Sequence, residues 1–301
     1  MTRDPRRPLD NITILIKTFE RQDCLRRLLR SIVQRGYIFP VLVADDSLKP
    51  YRDAVVAEFG GLVTHYLVLP FDVGLSAGRN AMLPLVHTPY LLLCDDDFVF
   101  DERTDLAHMQ RLLEGSGMDL LGGVYYDRAP FSWRDLMSAT ARLDGLRLLT
   151  LAGFEVPRKL HFNFARAGPQ NWRTVEVEYT PPVVRCDLAS NFFLARTGPL
   201  RDVVGGWDAS LKLAEHRSFF LAAKRHGLRV GHTEEVGVVH VREMPGEYWE
   251  YRRRGERTPP AEFVRPTLPE RFSALRETWS RTYRHYRARR RPPGLGGKWN
   301  S

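Results

Sequence analysis

A chain of 301 residues that is 43% hydrophobic and 27% charged has room for one large α/β domain or two small ones, and its balance excludes a wholly disordered polymer. Lys and Arg number 45 against 36 Asp and Glu, a formal net charge of +9, which calls for an anionic partner such as nucleic acid, a membrane surface or a phosphorylated substrate. Residues 271–301 hold nine Lys/Arg and one acid, Glu277, so residues 1–270 carry only +1.

The first hundred residues alternate between strand and helix patterns. Residues 12–16 (Ile-Thr-Ile-Leu-Ile) form a β-branched run suited to a central strand buried on both faces. Leu25, Leu28, Leu29, Ile32 and Val33 then fall on one face of a helix that ends at Gly36. Residues 41–44 are a second strand, stopped by Asp45-Asp46-Ser47; 51–59 read as helix and 64–69 as a third strand. Residues 75–83 are helical up to Pro84, and the strand 90–94 runs straight into Asp95-Asp96-Asp97. A helix at 106–114 and a strand at 120–126 follow. Residues 127–182 are mixed turns carrying Phe131, Trp133, Phe154, Phe162, Phe164 and Trp172. Order returns at 190–195, in a helix at 219–226 and in a strand at 236–241. The compact body is expected to span 1–255, with a basic tail at 256–301.

This alternation predicts an α/β fold with a mostly parallel twisted sheet and helices on both faces. Ligands of such sheets bind beyond the carboxyl ends of the strands. Asp45, Asp46, Asp95, Asp96 and Asp97 all follow predicted strands directly, which gathers five acids along one sheet edge. Cys24, Cys94 and Cys186 are too few and too scattered for a disulfide framework or a zinc site and read as reduced thiols. The first residues lack the apolar core of a signal peptide, and no apolar run reaches the ~20 residues of a bilayer span. The expected location is cytoplasmic, or peripheral at the inner face of a membrane.

Asp95 and Asp97 alternate along an extended segment, so both can face one hard cation, Mg²⁺ or Mn²⁺, whose shell substrate phosphates complete. The competing reading is an acidic loop capping the next helix. Gly74-Leu75-Ser76-Ala77-Gly78-Arg79-Asn80 opens a helix where backbone approaches a ligand closely and Arg79 can hold a phosphate; a tight turn with a solvated Arg79 is the alternative. Glu215-His216 pairs a carboxylate with an imidazole near a helix start, either a general base or an acid favoured by the helix dipole. His240, inside an apolar strand, is a core residue unless a carboxylate-bound cation lies beside it.

Taken together, residues 12–21, Ala44-Asp45-Asp46-Ser47, Gly74 to Asn80 and Asp95-Asp96-Asp97 resemble the GT-A glycosyltransferases with a family 2-like N-terminal half. Lys17-Thr18-Phe19, Asp95-Asp96-Asp97-Phe98-Val99-Phe100, Asn191-Phe192-Phe193-Leu194-Ala195-Arg196, Glu215-His216 and the late His240 are most similar to the β-1,4-N-acetylgalactosaminyltransferases of the ganglioside GM2 synthase type. The resemblance spans about residues 10–242. It implies a metal-dependent, inverting transfer of a sugar, with GalNAc the best guess, from a UDP-sugar to a glycan or glycolipid hydroxyl. By the same resemblance Asp45 bonds the uracil ring, and Thr18, Arg21, Gly74, Arg79, Asp95, Asp96 and Asn191 complete the donor contacts. Asp95, Asp97 and His240 then bind Mn²⁺ or Mg²⁺. Many inverting members place Glu-Asp where this chain has Glu215-His216, so the usual base is absent; Glu215 is taken as the base, with His216 its rival.

Two other functions are weighed. A sugar-phosphate nucleotidyltransferase needs a Gly-rich basic loop after the first strand, and residues 16–21 contain no glycine. A nucleic-acid-binding protein would use the tail, where Tyr283, His285 and Tyr286 lie among arginines, yet clustered acids repel a phosphate backbone, so nucleic acid is not the expected partner. The tail is instead expected to dock on anionic lipid or to be a solvated end. Liposome co-sedimentation with and without residues 271–301 separates the two, because equal binding by both chains removes docking.

Overall fold

The computed structural model describes residues 10–128, 150, 155–168, 171–243, 248, 250 and 251. The basic tail, and with it the expected lipid contact, lies outside the described residues, as do Phe131, Trp133 and Phe154. Among the described residues ten strands join one sheet, in the order β10 (Val184–Cys186), β12 (Val230–Val241), β6 (Leu120–Arg128), β11 (Phe193–Arg196), β4 (Tyr90–Asp95), β1 (Ile12–Thr18), β2 (Val41–Asp45), β3 (Val63–Val68) along its main path, and two more form a hairpin of their own.

The parallel part of the sheet is built on β1 (Ile12–Thr18), whose seven residues are all buried. Ile12, Ile14 and Ile16 enter one core cluster and Leu15 the other, as a strand covered on both faces requires. Each fully buried Ile or Leu contributes roughly 1.5–3 kcal/mol. β1 runs parallel to β2 (Val41–Asp45) on one side and to β4 (Tyr90–Asp95) on the other, with the edge strand β3 (Val63–Val68) beyond β2. The register sets Lys17 opposite both Ala44 and Asp95, and Thr18 opposite Asp45, so the three strands deliver their polar ends to one level.

Helices cover both faces. Helix α1 (Gln22–Gln34) buries Leu25, Leu28, Leu29 and Ile32, together with Cys24; Val33 is 54% exposed, so the apolar stripe ends one residue earlier than the spacing predicts. Helices α2 (Arg52–Phe59) and α4 (Leu106–Ser116) pack into the same cluster as α1. On the opposite face lie α3 (Leu75–Met82), which passes into a 3₁₀ turn at Leu83–Leu85 around Pro84, and α5 (Glu215–Arg225). Helix α5 starts four residues before its apolar run, which makes Glu215 and His216 its first turn.

Beyond β4 the sheet is mixed. The chain turns through Asp96 and Asp97 into the short β5 (Phe98–Val99), which pairs antiparallel with the long β12 (Val230–Val241) and sets His240 opposite Phe98. Strand β11 (Phe193–Arg196) runs antiparallel to β4 and to β6 (Leu120–Arg128), and β10 (Val184–Cys186) edges β12. The hairpin is β8 (Phe162–Arg166) with β9 (Trp172–Glu176). Phe162, Phe164 and Trp172 therefore pack in or against the second core cluster. All three cysteines are buried free thiols.

The chain divides into two units. Nearly all described residues belong to the first, drawn from residues 1–125 and 159–265. The described part of the second is residue 150 and the segments 126–128 and 155–158, the latter including β7 (Val156–Arg158). There Asp127 is fully buried with Arg158 at 3.7 Å, and Arg128 pairs with Glu155. Everything in the site below belongs to the first unit.

Candidate active site

Two acids stand at the end of β2 and they do different work. Asp45 is fully buried, and its carboxylate accepts the backbone N–H groups of Ser47 at 2.9 Å and Tyr51 at 3.0 Å and the Tyr66 hydroxyl at 2.7 Å. Those bonds tie the loop after β2 to the start of α2 and to β3. Burial and the adjacent Asp45 carboxylate push the Tyr66 phenol far up, so it stays a donor. Asp46, the next residue, turns into a cavity with Lys17, Thr18, Phe19, Arg21 and Gly74 on its wall. It pairs with the Lys17 ammonium and accepts the Gly74 N–H at 2.9 Å. Burial pulls the Lys17 amine below its ordinary value, against the hold of Asp46.

Helix α3 is shaped to leave this cavity open. Gly74 has φ +96°, and a Cβ there would lie 2.7 Å from the Lys212 Cα. Gly78, one turn on, lies so close under the Lys17 side chain that any Cβ would overlap it. The outer wall is aromatic and basic: the Arg21 guanidinium sits 4.4 Å from the Tyr248 ring centre, and Tyr251 meets Phe19 and Phe71 edge-on at 5.4 Å.

The three acids at the end of β4 also separate. Asp96 is fully buried and accepts the Thr18 hydroxyl at 2.8 Å and one arm of Arg21; burial pushes its carboxyl up to about 6 against the pull of that guanidinium. Asp97 takes the other arm of Arg21 at 2.6 Å, and His240 Nε2 lies 3.3 Å from the same oxygen. Burial alone would raise Asp97, but Arg21 and His240 hold it well below the usual carboxylate range. Its second oxygen, Oδ1, is buried without a hydrogen-bond partner. Asp95 instead faces Arg79 at 3.0 Å. The structure thus brings Asp97 and His240 together, whereas Asp95, Asp97 and His240 do not form a three-ligand cluster among the described residues. An orphaned buried carboxylate oxygen beside an imidazole is a donor set that fits Mn²⁺ or Mg²⁺.

Arg79 is 1% exposed, and its guanidinium bridges Asp95 and Glu215. Glu215 is buried too; burial would raise its carboxyl, but Arg79 and His216 keep it below its ordinary value. It is an anion locked in an ion pair. His216 differs. Its Nδ1 meets the side-chain oxygen of Asn191, and an amide oxygen can only accept, so Nδ1 carries the proton. That leaves a lone pair on Nε2, which is buried with no partner. Burial pushes this imidazole down to about 4, against the pull of Glu215. Helix α5 is held in place by Phe219, stacked between Trp207 at 4.8 Å and Phe193 of β11 at 5.7 Å. The Asn191 N–H bonds the Tyr125 hydroxyl, and the Tyr125 ring lies 5.6 Å from that of His240. Two hydrogen bonds and a ring contact therefore run from His216 through Asn191 and Tyr125 to His240.

Lys17, Asp46, Lys212, Tyr248 and Tyr251 line the cavity without being named as site residues by the sequence. Lys17 carried a signal: a lone charge at the inward-facing position two residues after Leu15. Tyr248 and Tyr251 carried none, because they lie in the segment read as the end of the body.

Residues 13–167 match the family described as Glycosyl transferase family 2. Over 235 residues the chain is 37% identical to human Beta-1,4 N-acetylgalactosaminyltransferase 1, covering 77% of this chain and 39% of that protein, and it is 32% identical over 221 residues to mouse Beta-1,4 N-acetylgalactosaminyltransferase 2. It spans about two fifths of the length of the curated relatives it matches. Among solved structures it is similar to Staphylococcus aureus TarS residues 1–349 in complex with UDP-GlcNAc (TM-score 0.53, 14% identity, 83% of this chain and 68% of that one). It is also similar to GalNAc-T7 with UDP, GalNAc and Mn²⁺ (TM-score 0.56, 13% identity, 78% and 44%). The fold is that of the GT-A glycosyltransferases, and the chain belongs to glycosyl transferase family 2.

Proposed function

We propose that this protein transfers a sugar, GalNAc in the first instance, from a UDP-sugar to a hydroxyl of a glycan or glycolipid, with metal dependence and inversion at the anomeric carbon. The observation that carries the reading is the Asp97–His240 pair with its orphaned oxygen, a short way along the Arg21 fork from a cavity lined by bases and aromatic rings. The names of the relatives support the sugar, and the UDP complexes of the structural neighbours support the donor. Asp46, which lines the cavity where Asp45 does not, is positioned to meet a nucleobase, while Phe19 and Tyr251 offer ring faces and Lys17 and Arg21 offer charge to a diphosphate.

The site supports His216 over Glu215 as the base. Nε2 takes the proton of the acceptor hydroxyl as its oxygen attacks the anomeric carbon and the bond to UDP breaks on the opposite face. Asn191 holds the imidazole in the tautomer that leaves Nε2 open, and the neighbouring Glu215 carboxylate stabilises the imidazolium that forms. Asp97 and His240 would hold a divalent cation, which when bound offsets the charge growing on the departing diphosphate.

UDP release across a set of UDP-sugars, with Mn²⁺ and with EDTA, tests both levels. Asp97→Ala is expected to abolish the metal-dependent rate. His216→Asn should lower kcat by about 10²- to 10⁴-fold while UDP binding persists. A folded Glu215→Gln that loses turnover, beside a His216→Asn that keeps it, returns the role to Glu215. If no UDP-sugar is bound or hydrolysed and Asp97→Ala changes nothing, the reading fails.

A further inference from the structure

We infer that His161, His232 and Glu234 form a second metal site, for a transition-metal dication of the zinc class, apart from the site already described. His232 and Glu234 are i and i+2 on β12 and so share one face of the strand. His161 reaches them from the residue before β8. His161 is 3% exposed and His232 0%, their ring centres are 4.9 Å apart, and one ligand atom from each of the three residues lies within 4.8 Å of the others. His240 is eight residues further along β12, about 26 Å at the rise of an extended strand. The two sites therefore sit at opposite ends of that strand.

His232 demands a partner. Both of its ring nitrogens are shut off from solvent and neither has a hydrogen bond. A buried imidazole that leaves a donor and an acceptor unmet is costly, and native proteins rarely leave such a group unexplained. Neutral imidazole is the form that ligates metals. Two imidazoles and one carboxylate are the three-ligand set of open zinc sites, with water able to fill the fourth position, and they suit zinc or a neighbour in the transition series better than Mg²⁺. Tyr179 encloses the group: its hydroxyl accepts the Glu234 N–H at 3.1 Å, and its ring stands edge-on to His232 at 6.2 Å.

One cation already competes. The Lys159 ammonium pairs with Glu234, on a side chain about a quarter exposed that can withdraw to water. A metal here would clamp the entry of the β8–β9 hairpin onto β12, next to the edge strand β10, where His232 stands opposite Val184. That clamp is structural, so its tests do not depend on transferase activity.

Zinc bound by the full-length protein, stripped with EDTA and dialysed against ZnSO₄, is measured by elemental analysis, and its affinity by competition with a chromophoric chelator. A chain carrying Asp97→Ala and His240→Ala is expected to keep one equivalent, and His232→Gln to weaken that binding about 10- to 100-fold. Lys159→Gln removes only the competing ammonium at a partly exposed position and is expected to tighten zinc several-fold, an effect that misfolding does not imitate. The site is refuted if His232→Gln binds zinc as wild type does, if the Asp97→Ala/His240→Ala chain binds none, or if Lys159→Gln leaves the affinity unchanged.

Discussion

Arg79 illustrates how far a residue type underdetermines its role. In the sequence it stands at the opening of a helix and reads as an anion ligand. In the fold its guanidinium is buried and joins two acids, Asp95 and Glu215, from different elements. Removing one partner of such a buried pair leaves an uncompensated charge, so Arg79→Ala is expected to destabilise the protein by about 3–5 kcal/mol in urea unfolding. Arg79→Lys keeps the charge but not the planar fork that reaches both acids, and should recover only part of that loss. An Arg79→Ala chain as stable as wild type would mean that Glu215 is solvated. Asp45 makes the same point: an acid at a strand end, where ligands are expected, is fully used by Ser47, Tyr51 and Tyr66.

At the scale of elements, the site depends on how closely α3 approaches β1. Gly78 lies under the Lys17 side chain, with no room for a methyl group between them. Gly78→Ala must move either the helix or the lysine that pairs with Asp46. Overpacking of this kind costs about 1–3 kcal/mol. A lowered unfolding midpoint together with weaker UDP binding in calorimetry is the expected outcome; unchanged binding would show that Lys17 does not help shape the cavity proposed to take the nucleotide. Helix α5 makes a complementary case, because its apolar anchors Phe219 and Phe220 were visible in the sequence while its true start was not. Ala214, the residue before it, is in the left-handed region at φ +61°, a turn that no periodicity announces.

For the whole molecule, pH reports on the buried imidazoles. His216 titrates near 6.5 when unfolded and near 4 in the fold, so between those values the unfolded chain binds a proton that the native one refuses. Its contribution to stability is therefore present above about 6.5 and declines as pH falls toward 4, by about 1.4 kcal/mol per pH unit. Asp96, raised in the fold to about 6, acts in the opposite sense. The clean observable is the stability difference between wild type and His216→Asn, which should move against wild type as pH drops from 6 to 4.5. A pH-independent difference would place the imidazole in water. Among the described residues no helix is long and apolar enough to cross a membrane.

The strands β1, β2 and β4 were legible because a strand buried on both faces must be continuously apolar, and the carboxylates that end them mark the sheet edge where ligands bind. That local chemistry was enough to indicate the α/β class, the ligand edge and the pool of acids, histidines and basic residues from which the site is drawn. The assignment of roles within that pool came from long-range contacts. Periodicity tells which face a side chain takes, not which residue from another crossover will meet it. Only the tertiary structure pairs Asp97 with His240, locks Glu215 onto Arg79, turns His216 Nε2 free with Asn191 behind it, and brings His161 to His232 from 71 residues away.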